Sequence, residues 1–288
     1  MKYNYHTHTS RCFHAKGTDK EYVLAAIEAG FDEIGFADHT PWKFDSDFVS
    51  HMRMHESELE NYCKSIKHLK EKYKDKISIK LGLECEYFRK YIPWLREAIE
   101  EHGIDYIILG HHFCEDEEGG IYNGSLTEAE DVYRYAEDVV EAMETGLFSY
   151  VAHPDLFMRG YDEFDSHCKK VSEEIIKAAI RTGTPLEYNL LGLKHGINDS
   201  KPGYPHPEFW KIAAELHPKV IVGIDAHNPA DYLDHEHFRL GYDTLGKLGL
   251  EPEATIKFLR TRGARQGCFY FRSHLKSPGS YCIKRMPS

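Results

Sequence analysis

Several absences narrow the chain before any motif does. No apolar run approaches the roughly 18 residues that a bilayer helix requires, so no membrane span is expected in the 288 residues. The N-terminus opens on a polar, histidine-bearing stretch where a signal peptide would be apolar, which sets a cytoplasmic protein as the expectation. Basic charge is in deficit, with 36 Lys and Arg against 47 Asp and Glu and a net charge of −11. That balance argues against a nucleic-acid surface, although a local metal cluster would still let small anions bind. There is no Cys-x-x-Cys, and the seven cysteines, at 12, 63, 85, 114, 168, 268 and 282, are odd in number. They read as free thiols of a reducing compartment, not as a disulfide framework. No flexible linker divides residues 1–259, so these are expected to form one domain.

What is present begins with 41% hydrophobic residues, enough for an ordinary buried core. Seven runs expected to form strands alternate with helical stretches. The runs are 3–6, 34–37, 77–83, 104–110, 148–152, 185–189 and 219–224. Helices are expected between them, the first opened by the capping box Thr18-Asp19-Lys20-Glu21 and another by Thr127-Glu128-Ala129-Glu130. Further helices are expected near 53–74, 92–102, 166–182, 206–217 and 237–248, and one more starting near Glu251-Pro252. Strict strand–helix alternation predicts an α/β fold with a parallel sheet and helices outside. An open doubly wound sheet would gather its site at one or two switch points. Here polar residues follow nearly every strand, as in a barrel whose strand ends share one mouth.

Those strand ends carry metal-ligand residue types. They are His6 and His8 after the first strand, with His14 in the loop beyond, then His39, Glu84, His112 and His153, and Asp225 with His227 after the last. His6 and His8 are two apart, so strand alternation sends them to one face. His111 is adjacent to His112 and is expected to face away from the metals. Nine candidates exceed the four to six ligands of a single ion. They suit two or three ions, with Glu84 as the bridge, and mixed imidazole and carboxylate donors favour Zn, Mn or Fe over Ca or Mg. The run Glu115-Asp116-Glu117-Glu118 is expected to be a solvated turn, or else to receive a cationic group of a substrate.

The series His6-Thr7-His8, His14, Ala37-Asp38-His39, Gly82-Leu83-Glu84, Gly110-His111-His112-Phe113, Ala152-His153-Pro154 and Gly223-Ile224-Asp225-Ala226-His227 resembles the polymerase and histidinol phosphatase superfamily over about residues 1–250. The resemblance implies a distorted TIM-like (β/α)7 barrel with its metal site at the C-terminal ends of the parallel strands. It implies a trinuclear divalent site: His6, His8, Glu84 and Asp225 on one ion, His14, His39 and His227 on others with Glu84 bridging, and His112 and His153 completing the third.

Within the superfamily, length and motifs look most like the histidinol-phosphate phosphatase branch. That implies a phosphomonoesterase that converts L-histidinol phosphate to L-histidinol in histidine biosynthesis. Another small phosphate ester or a nucleotide is the alternative substrate. The branch sets arginines against the substrate phosphate after strands 5 and 6. Arg159 fits the first, and Lys194 stands at the second, where it would hold phosphate as a point charge without the bidentate fork. Glu84 and Asp225 are expected to be catalytic through the metals, and Asp225 and His195 are the two candidates for protonating the leaving alkoxide. An amidohydrolase-like barrel also places His-x-His on strand 1, but it would use a lysine-type bridge after strand 4 where this chain has Glu84 after strand 3. A metal-storage protein would need the same ligands without a phosphate clamp. From Arg260 to Ser288 there are seven Lys or Arg and no acid. This basic tail is given no part in the chemistry.

Overall fold

The computed structural model describes residues 2–198 and 203–259. The basic tail and Cys268 and Cys282 lie outside the described residues. Strands β1 (Tyr3–Asn4), β2 (Glu33–His39), β3 (Ser78–Cys85) and β4 (Tyr106–Leu109) pair in parallel in that order, and β5 (Leu186–Asn189) and β6 (Val220–Gly223) form a second parallel pair. Val151 joins the two sheets by pairing with Leu109 on one side and Leu186 on the other, and Thr7 pairs with Ala226. The staves therefore follow one another around a barrel.

Strand periodicity divides the core in two. On the outer face Ile34 and Phe36, Ile79, Leu81 and Leu83, Ile107 and Leu109, and Val220 and Val222 pack with helix residues such as Tyr22, Tyr62, Ile66 and Leu95. The helices of that layer are α1 (Asp19–Glu28), α2 (Leu59–Lys72), α3 (Ile92–His102), α4 (Ala129–Glu144), α5 (Ser166–Thr182), α7 (Pro207–Leu216) and α8 (His235–Lys247), with α6 (Leu190–Asn198) directly after β5. The alternate strand positions point inward. Tyr5, Ala37, Tyr106, Ile108, Tyr150, Ala152 and Ile221 form a separate inner cluster, as the period of two requires. Tyr106 fills the barrel between Gly35 and Gly82, where any Cβ would overlap its ring. Its hydroxyl donates to the carbonyls of Tyr5 (2.7 Å) and Phe36 (3.1 Å).

Several expectations need correction. Residues 148–152 are not a continuous strand, yet they hold the fifth stave. Ser149 N donates to Ile107 O, Ala152 N to Leu109 O and Val151 N to Pro185 O, so the amides alternate between neighbours. The capping box holds at Thr18, where Thr18 Oγ1 accepts from Glu21 N and Glu21 caps Thr18 N in return. It fails at Thr127, whose hydroxyl turns to Glu128, and α4 starts without a side-chain cap. No helix starts at Glu251-Pro252. Pro252 pairs with Val220, and Glu253 N donates to Val220 O, so the chain runs beside β6. α6 was not foreseen: Asn189 Oδ1 accepts from Gly192 N (2.8 Å) and turns the chain into a helix at once. No helix among the described residues is long and apolar enough to cross a membrane. The five described cysteines are free and buried.

Candidate metal centre

Above the inner cluster, the strand ends turn inward and meet. Two of the turns need backbone conformations that side chains seldom adopt: His153 has φ +30° and Asp225 φ +55°. Such residues persist where the surroundings over-determine them, which is common at functional sites. The turns drop both side chains into the mouth.

Glu84 lies at the centre and is buried. Its Oε1 faces His153 Nε2 (3.0 Å), His6 Nε2 (3.5 Å) and His112 Nε2 (3.5 Å). Its Oε2 faces His39 Nδ1 (3.1 Å) and His8 Nε2 (3.4 Å). One carboxylate thus presents its two oxygens to two different imidazole sets. Asp225 Oδ1 is shared by His8 Nε2 (3.1 Å), His6 Nε2 (3.3 Å) and His227 Nδ1 (3.4 Å). His14 completes the outer side, its ring stacked on His227 at 4.9 Å and tilted against His39 at 5.4 Å. The structure therefore brings all nine predicted ligand candidates to one place. Triplets such as His6, His8 and Asp225, or His14, His39 and His227, have ligand atoms within 4.8 Å of one another.

The donors fit metal ions. His6 Nε2, His39 Nδ1, Glu84 Oε2 and Asp225 Oδ1 are buried with no aligned hydrogen-bond partner among the described residues. Orphaned buried polar atoms are costly, and here they converge on one another. Burial pushes the Glu84 carboxyl up, but the imidazoles of His112, His6 and His39 outweigh it and hold the group well below the usual carboxylate range. Burial is likewise overcome at Asp225 by His6, His8 and His227. Burial drives His39 well below the ordinary imidazole value, and burial with the neighbouring His8 lowers His227 to about 4. The carboxylates are thus held in the ionised form that binds metal. At His6 and His8, by contrast, burial is outweighed by Asp225, Glu84 and their other acidic neighbours, which raise both imidazoles, so these two would release a proton on taking a metal.

A second layer holds these ligands. His6 Nδ1 lies 2.8 Å from Glu187 Oε1, while Glu187 Oε2 accepts from His153 N (3.0 Å) and Asn189 Nδ2 (2.8 Å). Asn189 Nδ2 also donates to Asp225 Oδ2 (3.1 Å). Asp38 Oδ1 lies 3.5 Å from His8 Nδ1, and Glu86 Oε1 lies 3.1 Å from His112 Nδ1. Sequence reading missed Glu187, Glu86 and Asn189. No local pattern singles them out, because the groups that they hold come from other strand ends. His111 faces away from the centre, its Nε2 3.1 Å from Asp138 Oδ2.

The cluster floors a cavity of about 260 Å³. Arg159 stands in its wall, with Nη1 donating to Tyr122 Oη (2.8 Å), and His195 reaches it from α6. Lys194 is not brought there. Its ammonium lies 3.3 Å from Asp231 and 3.5 Å from Asp234 and borders a separate small cavity, because the next helical residue, His195, takes the inward face. The acidic run does not line the main cavity either. Glu117 accepts from Arg53 Nε and Ser50 Oγ (both 2.6 Å), and Glu118 accepts from Ser46. These two carboxylates are therefore engaged with the loop after β2 and do not face the cavity as a receptor for a substrate cation.

A sequence profile of the PHP domain matches residues 4–190. The chain belongs to the PHP domain family. Among curated relatives of this PHP chain, a Deinococcus radiodurans protein named "Probable histidinol-phosphatase" is 27% identical over 93% of the chain and 96% of the relative. The histidinol-phosphatase of Bacillus subtilis strain 168 is 25% identical over 78% and 93%. A solved structure of histidinol phosphate phosphatase from Lactococcus lactis, complexed with zinc, L-histidinol and phosphate, superposes with TM-score 0.67 at 22% identity, covering 90% of this chain and 99% of that one. That likeness establishes the fold as the α/β barrel of PHP histidinol phosphatase structures.

Proposed function

We propose that this chain is a metal-dependent phosphomonoesterase that hydrolyses L-histidinol phosphate to L-histidinol and phosphate. The observation that carries the reading is Glu84, whose two oxygens each face a different set of imidazoles on the floor of a cavity walled by Arg159. The full-length relatives named for this activity fix the substrate within the phosphate esters. We read the site as trinuclear: His6, His8, Glu84 and Asp225 for one ion, His14, His39 and His227 with Glu84 for the second, and His112 and His153 with Glu84 for the third. Zn, Mn and Fe suit these donors. We read the protein as cytoplasmic, with a small phosphorylated metabolite as partner.

Divalent ions bound there would acidify a water and neutralise charge on the phosphoryl oxygens. The chain's own residues supply the rest. Arg159 holds the phosphate in line, and Tyr122 fixes the direction of its guanidinium. Asp225 is a poor proton donor, since Oδ1 faces His6 and His8 and Oδ2 accepts from Asn189. His195, in the cavity wall and outside the ligand cluster, is therefore assigned the proton for the leaving alkoxide. Tyr204 and Leu156 narrow the cavity around the alcohol portion.

The test is a panel of phosphomonoesters, nucleotides and phosphodiesters with the metal-loaded protein. Histidinol phosphate should show the highest kcat/KM. A nucleotide or diester exceeding it would overturn the substrate assignment.

A further inference from the structure

Arg53 is charged and fully buried, 1% exposed, in the loop after β2. A guanidinium in that position needs a structural reason. Its Nη2 donates to Glu86 Oε1 (2.7 Å) and its Nη1 to Glu86 Oε2 (2.9 Å), a bidentate fork. Trp42 Nε1 donates to the same Oε2 (2.7 Å). Nη1 also reaches Thr40 O (3.0 Å), and Nε reaches Glu117 Oε2 (2.6 Å) from the loop after β4. Guanidinium and indole groups can only donate, so both Glu86 oxygens are set as acceptors and the carboxylate plane is fixed. Among the described residues, the one remaining hydrogen-bond partner of that carboxylate is His112, whose Nδ1 lies 3.1 Å from Oε1. An acceptor there selects the imidazole tautomer that carries its proton on Nδ1. Nε2 is then bare on the side facing Glu84 Oε1.

We propose that Arg53 is a positioning residue that acts through Glu86 to lock His112 in its Nδ1-protonated tautomer, with Nε2 presented to the metal centre. The inference rests on the reading of His112 as a ligand. Outer partners of metal-bound histidines are worth roughly ten- to a hundredfold in metal affinity. Arg53 also joins the loops after β2 and β4 through Thr40 O and Glu117.

The experiment records long-range ¹⁵N–¹H imidazole spectra of the metal-free full chain and then titrates it with zinc. Wild type should show His112 protonated on Nδ1. Arg53→Lys keeps the charge without the fork and should give a mixed tautomer, with zinc affinity lowered by about ten- to a hundredfold. The triple variant Arg53→Met, Glu86→Leu and Glu117→Gln removes the guanidinium together with both carboxylates that it pairs with and should give the same result in a folded protein. Glu117→Gln, which leaves the fork intact, should keep the wild-type tautomer. An Nδ1-protonated His112 in both Arg53 variants would overturn the proposal, as would Nε2 protonation in wild type. Wild type that binds no zinc while the tautomer responds as expected would overturn the metal reading and leave the role of Arg53 supported.

Discussion

His6 Nδ1 lies 2.8 Å from Glu187 Oε1, although the two residues are 181 positions apart. The first ligand of the chain is thus aimed by a carboxylate from the fifth named strand, which also accepts from the His153 amide. Glu187→Gln should keep the fold and weaken zinc binding by roughly ten- to a hundredfold. Calorimetric zinc titration checks this, and unchanged affinity would remove Glu187 from the site.

Arg159 and Lys194 should separate cleanly. If Arg159 holds the phosphate as proposed, Arg159→Ala should remove charge-assisted hydrogen bonds worth about 1.5–3 kcal/mol, roughly ten- to a hundredfold in kcat/KM, with metal content unchanged. Lys194→Ala breaks partly exposed ion pairs to Asp231 and Asp234 and should cost at most about 1 kcal/mol of stability, with kcat/KM as in wild type. Steady-state kinetics of the two variants, with inorganic phosphate as competitor, decide the matter.

His195→Gln should lower kcat on histidinol phosphate by about a hundredfold or more, the usual worth of a general acid. On an activated aryl phosphate, whose leaving group departs without a proton, the loss should be much smaller. Equal losses on both substrates would assign His195 to binding.

Stability at low pH has a contribution outside the ligand cluster. Asp165 Oδ1 caps α5 by accepting from His167 N (2.8 Å) and Cys168 N (2.9 Å). Burial raises this carboxyl, but the amide donors outweigh burial and hold it below its ordinary value. A folded-state pKa below the unfolded one gives stability that is whole above about pH 4 and lost as pH falls through the folded value. Asp165→Ala should cost about 1 kcal/mol near neutrality. Asp165→Asn should cost less, and its deficit should shrink as pH is lowered. Urea melts across that range test this, and a pH-independent deficit would contradict it.

The extent to which the sequence announced this structure follows from the range of the forces involved. The period-two runs from β2 to β4 and the Thr18 capping box were legible because local geometry decides them. So were the ligand candidates, since all but His14 lie at or within three residues of the end of a run. Glu187 and Glu86 were not singled out, because their partners come from other strands and no local pattern marks a carboxylate as a support. Gly110 belongs to the same class: a Cβ there would overlap the Glu84 carboxylate, a clash visible only once β3 and β4 are side by side. Lys194 was misplaced because strand counting reaches the loop but not the helical phase of α6, which turns His195 inward and Lys194 toward Asp231.

The central claim is that Glu84 organises a metal centre on which phosphate-ester hydrolysis depends. The direct test is elemental analysis of purified wild type and Glu84→Ala, each assayed for phosphate release from histidinol phosphate. Wild type should carry bound divalent metal and be active, and the variant should lose metal and activity together. A folded Glu84→Ala protein that keeps full phosphatase activity, or an active wild type that contains no metal, would contradict the account.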